Sequence, residues 1–386
     1  MTKQSKPLNE SSPAATLQNI PFSSNAIRLS LSDWFIVLAV CAILLTIVPA
    51  LWDRIEKTAN PIDFRLPYQL GEDYWSFSRD CRQFSQGRET LVIGDSVIWG
   101  HYVPAEQTLS HYLNQIHGGQ NFVNLGVDGI HPAALSGLLR YYGKAISHKN
   151  IILHFNPLWL SSAQHDLQAH KEFSFNHPKL VPQFFPRIPS YRETFSNRLG
   201  IAASRHLPFS GWVNHLHITC FDGLDIPSWT IEHPYQNPLT EITLGSSISD
   251  DDFKYDQISW YDRDISKRDL EWVELATSFQ WYCFKKSIEV LQKRDNRVFI
   301  VVGPFNEHLL NKKSLFVYQE IKVKIETWFR HNEIDYYIPL LLPSEYYADA
   351  SHPLGEGYAM LAEQLYANES FASEILNSPV PGLENR

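Results

Sequence analysis

A serine near residue 96 and a histidine near residue 352 stand in surroundings that suit acyl chemistry. Residues 91–100 read Leu-Val-Ile-Gly-Asp-Ser-Val-Ile-Trp-Gly, so an apolar strand ends at Gly94 and Ser96 falls in what should be the first turn of a helix. A hydroxyl placed there is exposed at a sheet edge, beside backbone N–H groups and the positive end of the helix. To act as a nucleophile it needs a base for its proton and donors for the oxyanion that forms. The base is offered by Asp349-Ala350-Ser351-His352, followed by Pro353 and an amphipathic stretch from Gly357 to Leu365. An aspartate three residues before a histidine on a turn can accept from Nδ1–H, which leaves Nε2 as the basic nitrogen. Gly-Asp-Ser alone occurs in many turns, and the weight lies on the combination.

These residues need a scaffold that brings them to one edge. Apolar, β-rich runs at Leu91 to Ile93, Phe122 to Leu125, Ile151 to Phe155, Val298 to Val302 and Tyr336 to Ile338 read as buried strands. Between them His111 to Ile116, Pro132 to Ile146, Asp269 to Lys293 and Ser314 to His331 read as helices. Strands alternating with helices predict an α/β fold with a parallel sheet covered on both faces, and a site at the carboxyl ends of the strands. The interval 160–268 breaks the alternation, is rich in Pro, His, Trp and Tyr, and contains Asp250, Asp251 and Asp252. It reads as an insertion or cap over the site; structural elaboration without substrate contact is the competing reading.

Gly-Asp-Ser-Val-Ile-Trp-Gly resembles the first conserved block of the SGNH (GDSL-type) hydrolases, and Asp349-Ala-Ser-His352-Pro resembles their last. The resemblance covers roughly 89–156 and 297–365. It implies a three-layer, flavodoxin-like parallel sheet and a Ser96–His352–Asp349 triad that needs no cofactor. It also implies an oxyanion Gly and Asn after the second and third strands. Spacing from Asn124 gives Gly129, with Gly126 the fallback, and Asn156 takes the Asn place. Phe155 and Pro157 flank that Asn where the family has Gly-x-Asn-Asp. Asp95, Asp128 and His131 border these blocks as candidate substrate contacts; for His131 a loop histidine satisfied by its neighbours is the alternative.

Residues Trp34 to Trp52 run nineteen residues without a charge. As a helix this run spans about 28 Å, matching a bilayer core, with Trp at each interface. The 33 residues ahead of it are long for a signal n-region, so an uncleaved anchor is expected. Lys3, Lys6 and Arg28 before it balance Arg54, Lys57 and Arg65 after it, so charge does not orient it. A short polar tail before a large domain points to an extracytoplasmic domain. The expected plan is a flexible tail (1–33), an anchor (34–52), a connector without clear periodicity (53–88), a catalytic domain (89–370) with its insertion, and a C-terminal tail (371–386).

The 386 residues are 44% apolar and 19% charged, which is globular, and the net charge of −9 argues against an extended nucleic-acid surface. Aromatics at 13% offer platforms for sugars or acyl chains, although core packing uses them too. Apart from Cys41 in the apolar run, Cys81, Cys220 and Cys283 are an odd number without CxxC spacing. His215-Leu216-His217 would put two imidazoles on one face of a strand, but no third ligand is evident and no metal is expected. Nucleotide motifs are missing. An anchor joined to such a domain resembles envelope proteins that add or remove acyl groups on surface polymers, beside a multi-spanning membrane O-acyltransferase. The resemblance therefore implies an acylated glycan substrate. A lipase near its lipid, or a non-catalytic scaffold, is the alternative.

Overall fold

Five short parallel strands form the centre of the computed structural model, which describes residues 29–56, 60–61, 65–245, 254–263 and 265–381. They are β1 (Thr90–Ile93), β2 (Phe122–Asn124), β3 (Asn150–Phe155), β4 (Arg297–Val302) and β5 (Tyr336–Tyr337), in the spatial order β2-β1-β3-β4-β5. The helices are α1 (Leu31–Ile55), α2 (Tyr74–Phe84), α3 (Ser96–Trp99), α4 (Leu109–His117), α5 (Pro132–Tyr141), α6 (Phe195–Ser204), α7 (Pro208–Cys220), α8 (Ile226–Glu232), α9 (Pro238–Glu241), α10 (Phe279–Gln292), α11 (Lys312–His331), α12 (Gly355–Tyr366) and α13 (Glu369–Phe371).

The strands are mostly apolar because both faces are covered. Leu91, Ile93, Ile151, Leu153 and Phe155 turn to one face, where residues of α5, α10 and α11 close the core. Val92, Ile152, Phe299 and Val301 turn to the other, against α4 and α12. This two-residue alternation fixes the register in which Leu91 pairs with Val123 on one side and Ile151 on the other. The β1 carboxyl end, where Ser96 sits, is thereby held centrally.

Several expected boundaries are corrected. The connector over 53–88 contains α2, whose Tyr74, Phe77, Cys81 and Phe84, spaced three, four and three apart, enter the core. The helix expected from Asp269 begins at Phe279 instead. Ser278 caps it, and Asp166 accepts from the Phe279 and Gln280 N–H groups. The residues before it run without helix along α11, where Trp272 Nε1 donates to the Ser314 carbonyl. The helix expected to reach Ile146 stops at Tyr141, and Arg294 takes the carbonyls of Leu139 and Gly143. The C-terminal tail is also not free from residue 371: Phe371 is fully buried, stacked on Phe122 and edge-on to Phe299.

Helix α1 is 25 residues long, almost wholly uncovered by the rest of the protein, and long and apolar enough to span a membrane. It extends past the predicted run because Ser30 and Asp33 form a capping box at its start. Among the described residues of 160–268 the helices α6 to α9 appear, and α7 packs on α1 and α2. Trp52 near the end of α1 meets Trp212 of α7, next to a small core of Leu216, Phe221 and Trp229. Most of the expected 1–33 tail, and the run Asp250 to Asp252, lie outside the described residues.

Phe371→Ala is expected to cost about 3–5 kcal/mol by opening a cavity under β2 and β4. Denaturant unfolding of the detergent-solubilised chain, followed by tryptophan fluorescence, checks this; an unchanged midpoint would mean that Phe371 adds nothing to the core.

Candidate active site

Asp95, the cap of α3, sets the local geometry. Its Oδ1 accepts from the Val97 N–H at 3.0 Å, and its Oδ2 from Asn156 Nδ2 at 2.9 Å and Trp159 Nε1 at 3.1 Å. His154 Nδ1 lies 3.2 Å from the same carboxylate. Burial alone would raise the Asp95 pKa, but His154 and these donors outweigh it and hold the group ionised. The carboxylate is thus spent on the protein and is not presented to substrate, a correction to its expected role. Through it the ends of β1 and β3 are clamped together and Ser96 is fixed at the start of α3.

Across 256 positions of sequence, His352 Nε2 comes to 2.7 Å from Ser96 Oγ. His352 Nδ1 faces Asp349, 2.8 Å from each carboxylate oxygen, and Asp349 Oδ1 also accepts from the Ser351 and His352 N–H groups at 2.9 and 3.0 Å. This turn is pinned from outside. Asn306 donates from Nδ2 to the Asp349 carbonyl and from its backbone to Ala350, and Ala348 N–H bonds the His352 carbonyl. The Tyr358 hydroxyl of α12 donates to the Val97 carbonyl at 2.6 Å, which locks the helix after the turn onto α3.

The electrostatics follow from these contacts. Burial would raise the Asp349 pKa, yet the adjoining imidazole and the backbone donors hold it well below the usual carboxylate range. Burial pulls the His352 pKa down, but Asp349, Asp95 and Asp128 together bring it above its ordinary value. An imidazole so placed can take the Ser96 proton and remain stabilised as the cation.

The two glycines after β2 differ in what they do. A Cβ on Gly126 would lie 2.4 Å from the Trp99 nitrogen, so Gly126 lets this loop press on the backbone of α3. Its N–H is bound by Asn124 Oδ1 and is thereby engaged within the loop, where an oxyanion donor would need it directed at substrate. Gly129 adopts a left-handed φ of 67° and adjoins Asp128, whose Oδ1 lies 2.7 Å from His101 Nδ1. Asn156 gives one N–H to Asp95 and accepts the Leu158 N–H at 3.0 Å; the amide has a second N–H.

His131, expected as a substrate contact, is instead buried at the start of α5. Nδ1 receives the Ala134 N–H and meets Gln280 Nε2, while Nε2 meets the Asn176 carbonyl. Burial is the main cause that drives its pKa down to about 3. His215 and His217 lie on a helix, not a strand, so two residues' spacing turns them to different faces. His215 joins Asp73 at 2.7 Å and Glu56 at 2.9 Å; burial opposes its charge, but these carboxylates push its pKa up to about 9. It ties the end of α1 to the start of α2.

Three residues the sequence reading passed over also adjoin the site. His101 packs its ring 5.6 Å from that of His352, and Tyr102 packs 5.4 Å from it and donates to Asp349 at 3.3 Å. Burial, then Asp349, pushes the Tyr102 pKa up to about 12. Arg65 donates to the carbonyls of Trp99, Gly100 and Val103 and stacks on Trp99, so the expected connector braces the turn after α3. His101 and Tyr102 follow Gly100 directly, but nothing in their spacing marks them. No protein-family model matches this chain, and a search of curated proteins finds no match.

His131 gives a pH test. The unfolded chain protonates it near 6.5, whereas the folded chain resists until about 3. Its contribution is therefore complete above pH 6.5 and is lost as the pH falls toward 3. In denaturant titrations at several pH values, His131→Asn is expected to flatten this acid loss of stability; an unaltered pH dependence would mean His131 titrates normally.

Proposed function

We propose that this chain is a membrane-anchored serine esterase or O-acyltransferase of the SGNH type, acting on ester-linked acyl groups of an exported glycan. The observation that carries the proposal is the Asp349–His352–Ser96 hydrogen-bonded chain, with its 2.7 Å contact from imidazole to hydroxyl. The strand order β2-β1-β3-β4-β5 is that of flavodoxin-like doubly wound sheets, which supports the finer fold reading. So does the position of Ser96 beyond the carboxyl end of β1.

Ser96 Oγ attacks the ester carbonyl as His352 Nε2 accepts its proton, and Asp349 stabilises the imidazolium. The oxyanion is held by the Ser96 and Gly129 N–H groups and the second N–H of Asn156. One such donor is worth about 2.7–4 kcal/mol in a well-measured case. Collapse breaks the ester C–O bond, and His352 gives its proton to the leaving alcohol oxygen. Water then releases the acid, or a second alcohol takes the acyl group, with His352 again accepting the incoming proton. In the transfer case a multi-spanning membrane O-acyltransferase is the proposed partner, and the single span α1 keeps the domain beside it, on the extracytoplasmic side.

Ser96→Ala is expected to lower kcat/KM for p-nitrophenyl acetate at least 10⁴-fold, and Asp349→Asn by about 10⁴-fold. His352 must be neutral to act, so activity is lost as pH falls through its pKa, which lies above 6.5. Removing the Asp349 charge should move that acid limb to lower pH. A pH–rate profile of both proteins checks this; full activity in Ser96→Ala, or an acid limb that moves upward in Asp349→Asn, would refute the assignment.

A further inference from the structure

We propose that the cleft beginning at Asp128 and bounded by α7 is the binding site for the alcohol half of the ester, and that its ligand is a carbohydrate without anionic groups. This rests on the serine-ester reading and specifies its substrate. The cleft holds about 1050 Å³, room for several sugar rings. Asp128 links it to the reacting groups through one residue: the side chain lines the cleft and meets His101, whose ring packs against His352.

The lining selects the ligand class. Among the described lining residues Ile218 is the sole aliphatic side chain; the others offer amides, carboxylates, imidazoles, one ammonium and a tyrosine. An acyl chain gains affinity from apolar contact, of which this lining offers less than it offers polar groups. A polyol needs donors and acceptors at close intervals, and Gln69, Asn176 and Asn214 supply both. Tyr68, 46% exposed at the end next to His101, offers a ring face of the kind on which sugars stack.

Charge narrows the class further. Lys179 lies 3.8 Å from Glu72 and offsets it, leaving Asp128, Asp222 and Asp225 with no further Lys or Arg among the described lining residues. Burial lowers the pKa of both His177 and His217, so neither adds positive charge at neutral pH. A uronate or phosphate-bearing polymer would meet like charge along the cleft, whereas a neutral sugar meets hydrogen-bonding groups.

The test uses the full chain carrying Ser96→Ala in phosphatidylcholine nanodiscs, titrated calorimetrically with cellohexaose, chitohexaose and a mannuronate hexamer. Saturable binding of a neutral hexamer is expected, at least tenfold tighter than the uronate. Ile218→Trp, which fills the cleft, should weaken it at least tenfold, and Gln69→Ala at least threefold should the tryptophan variant fail to fold. No binding of either neutral hexamer, tighter binding of the uronate, or affinity untouched in the folded variants would overturn the proposal. Failure of the serine-ester reading shows separately, as absence of Ser96-dependent p-nitrophenyl acetate turnover in the unmutated chain.

Discussion

The hydrogen bond between Ser96 and His352 depends on two turns being held still, and much of the surrounding structure serves that requirement. One turn follows β1 and is fixed from inside by Asp95, which gathers donors from β3 and the segment beyond it. The other precedes α12 and is fixed by Asn306 and by Asp349 bonding its own backbone. The parallel sheet makes the meeting possible, because all strand ends carrying these turns lie on one edge. A buried carboxylate such as Asp95 is tolerated only because every side of it finds a partner.

Much of this was legible in the sequence. The strand cores were readable because a doubly covered parallel strand must be mostly apolar, as Leu91 to Ile93 and Ile151 to Leu153 are. Ser96 and the Asp349–His352 pair were visible because turn chemistry is local: three residues' spacing is enough to predict that an aspartate reaches Nδ1. Counting from Asn124 points to Gly129 with Gly126 as the fallback, and of the two the N–H of Gly126 is engaged by Asn124 Oδ1.

What was missed depends on contacts between distant segments. Asp95 looked like a substrate contact because its partners Asn156 and Trp159 lie more than sixty positions away. His131 looked like a substrate contact because Gln280, about 150 positions on, is among the partners that satisfy it. Arg65 lies in a stretch with no periodic signal and finds its three carbonyls only after folding. The α2 miss is different in kind, since its spacing was present and was overlooked among polar neighbours. Helices α6 to α9 were hidden by their Pro, His and Trp content; three of the four begin with Pro in the first turn, where it is favourable.

The central claim is that Ser96 is a nucleophile activated by His352. Treating the full chain with diisopropyl fluorophosphate and locating the adduct by peptide mass spectrometry tests it most directly. The account predicts a single adduct on Ser96, whose formation slows at least a thousandfold in His352→Ala. An unmodified Ser96 in folded protein, or labelling at equal rate without the imidazole, would contradict it.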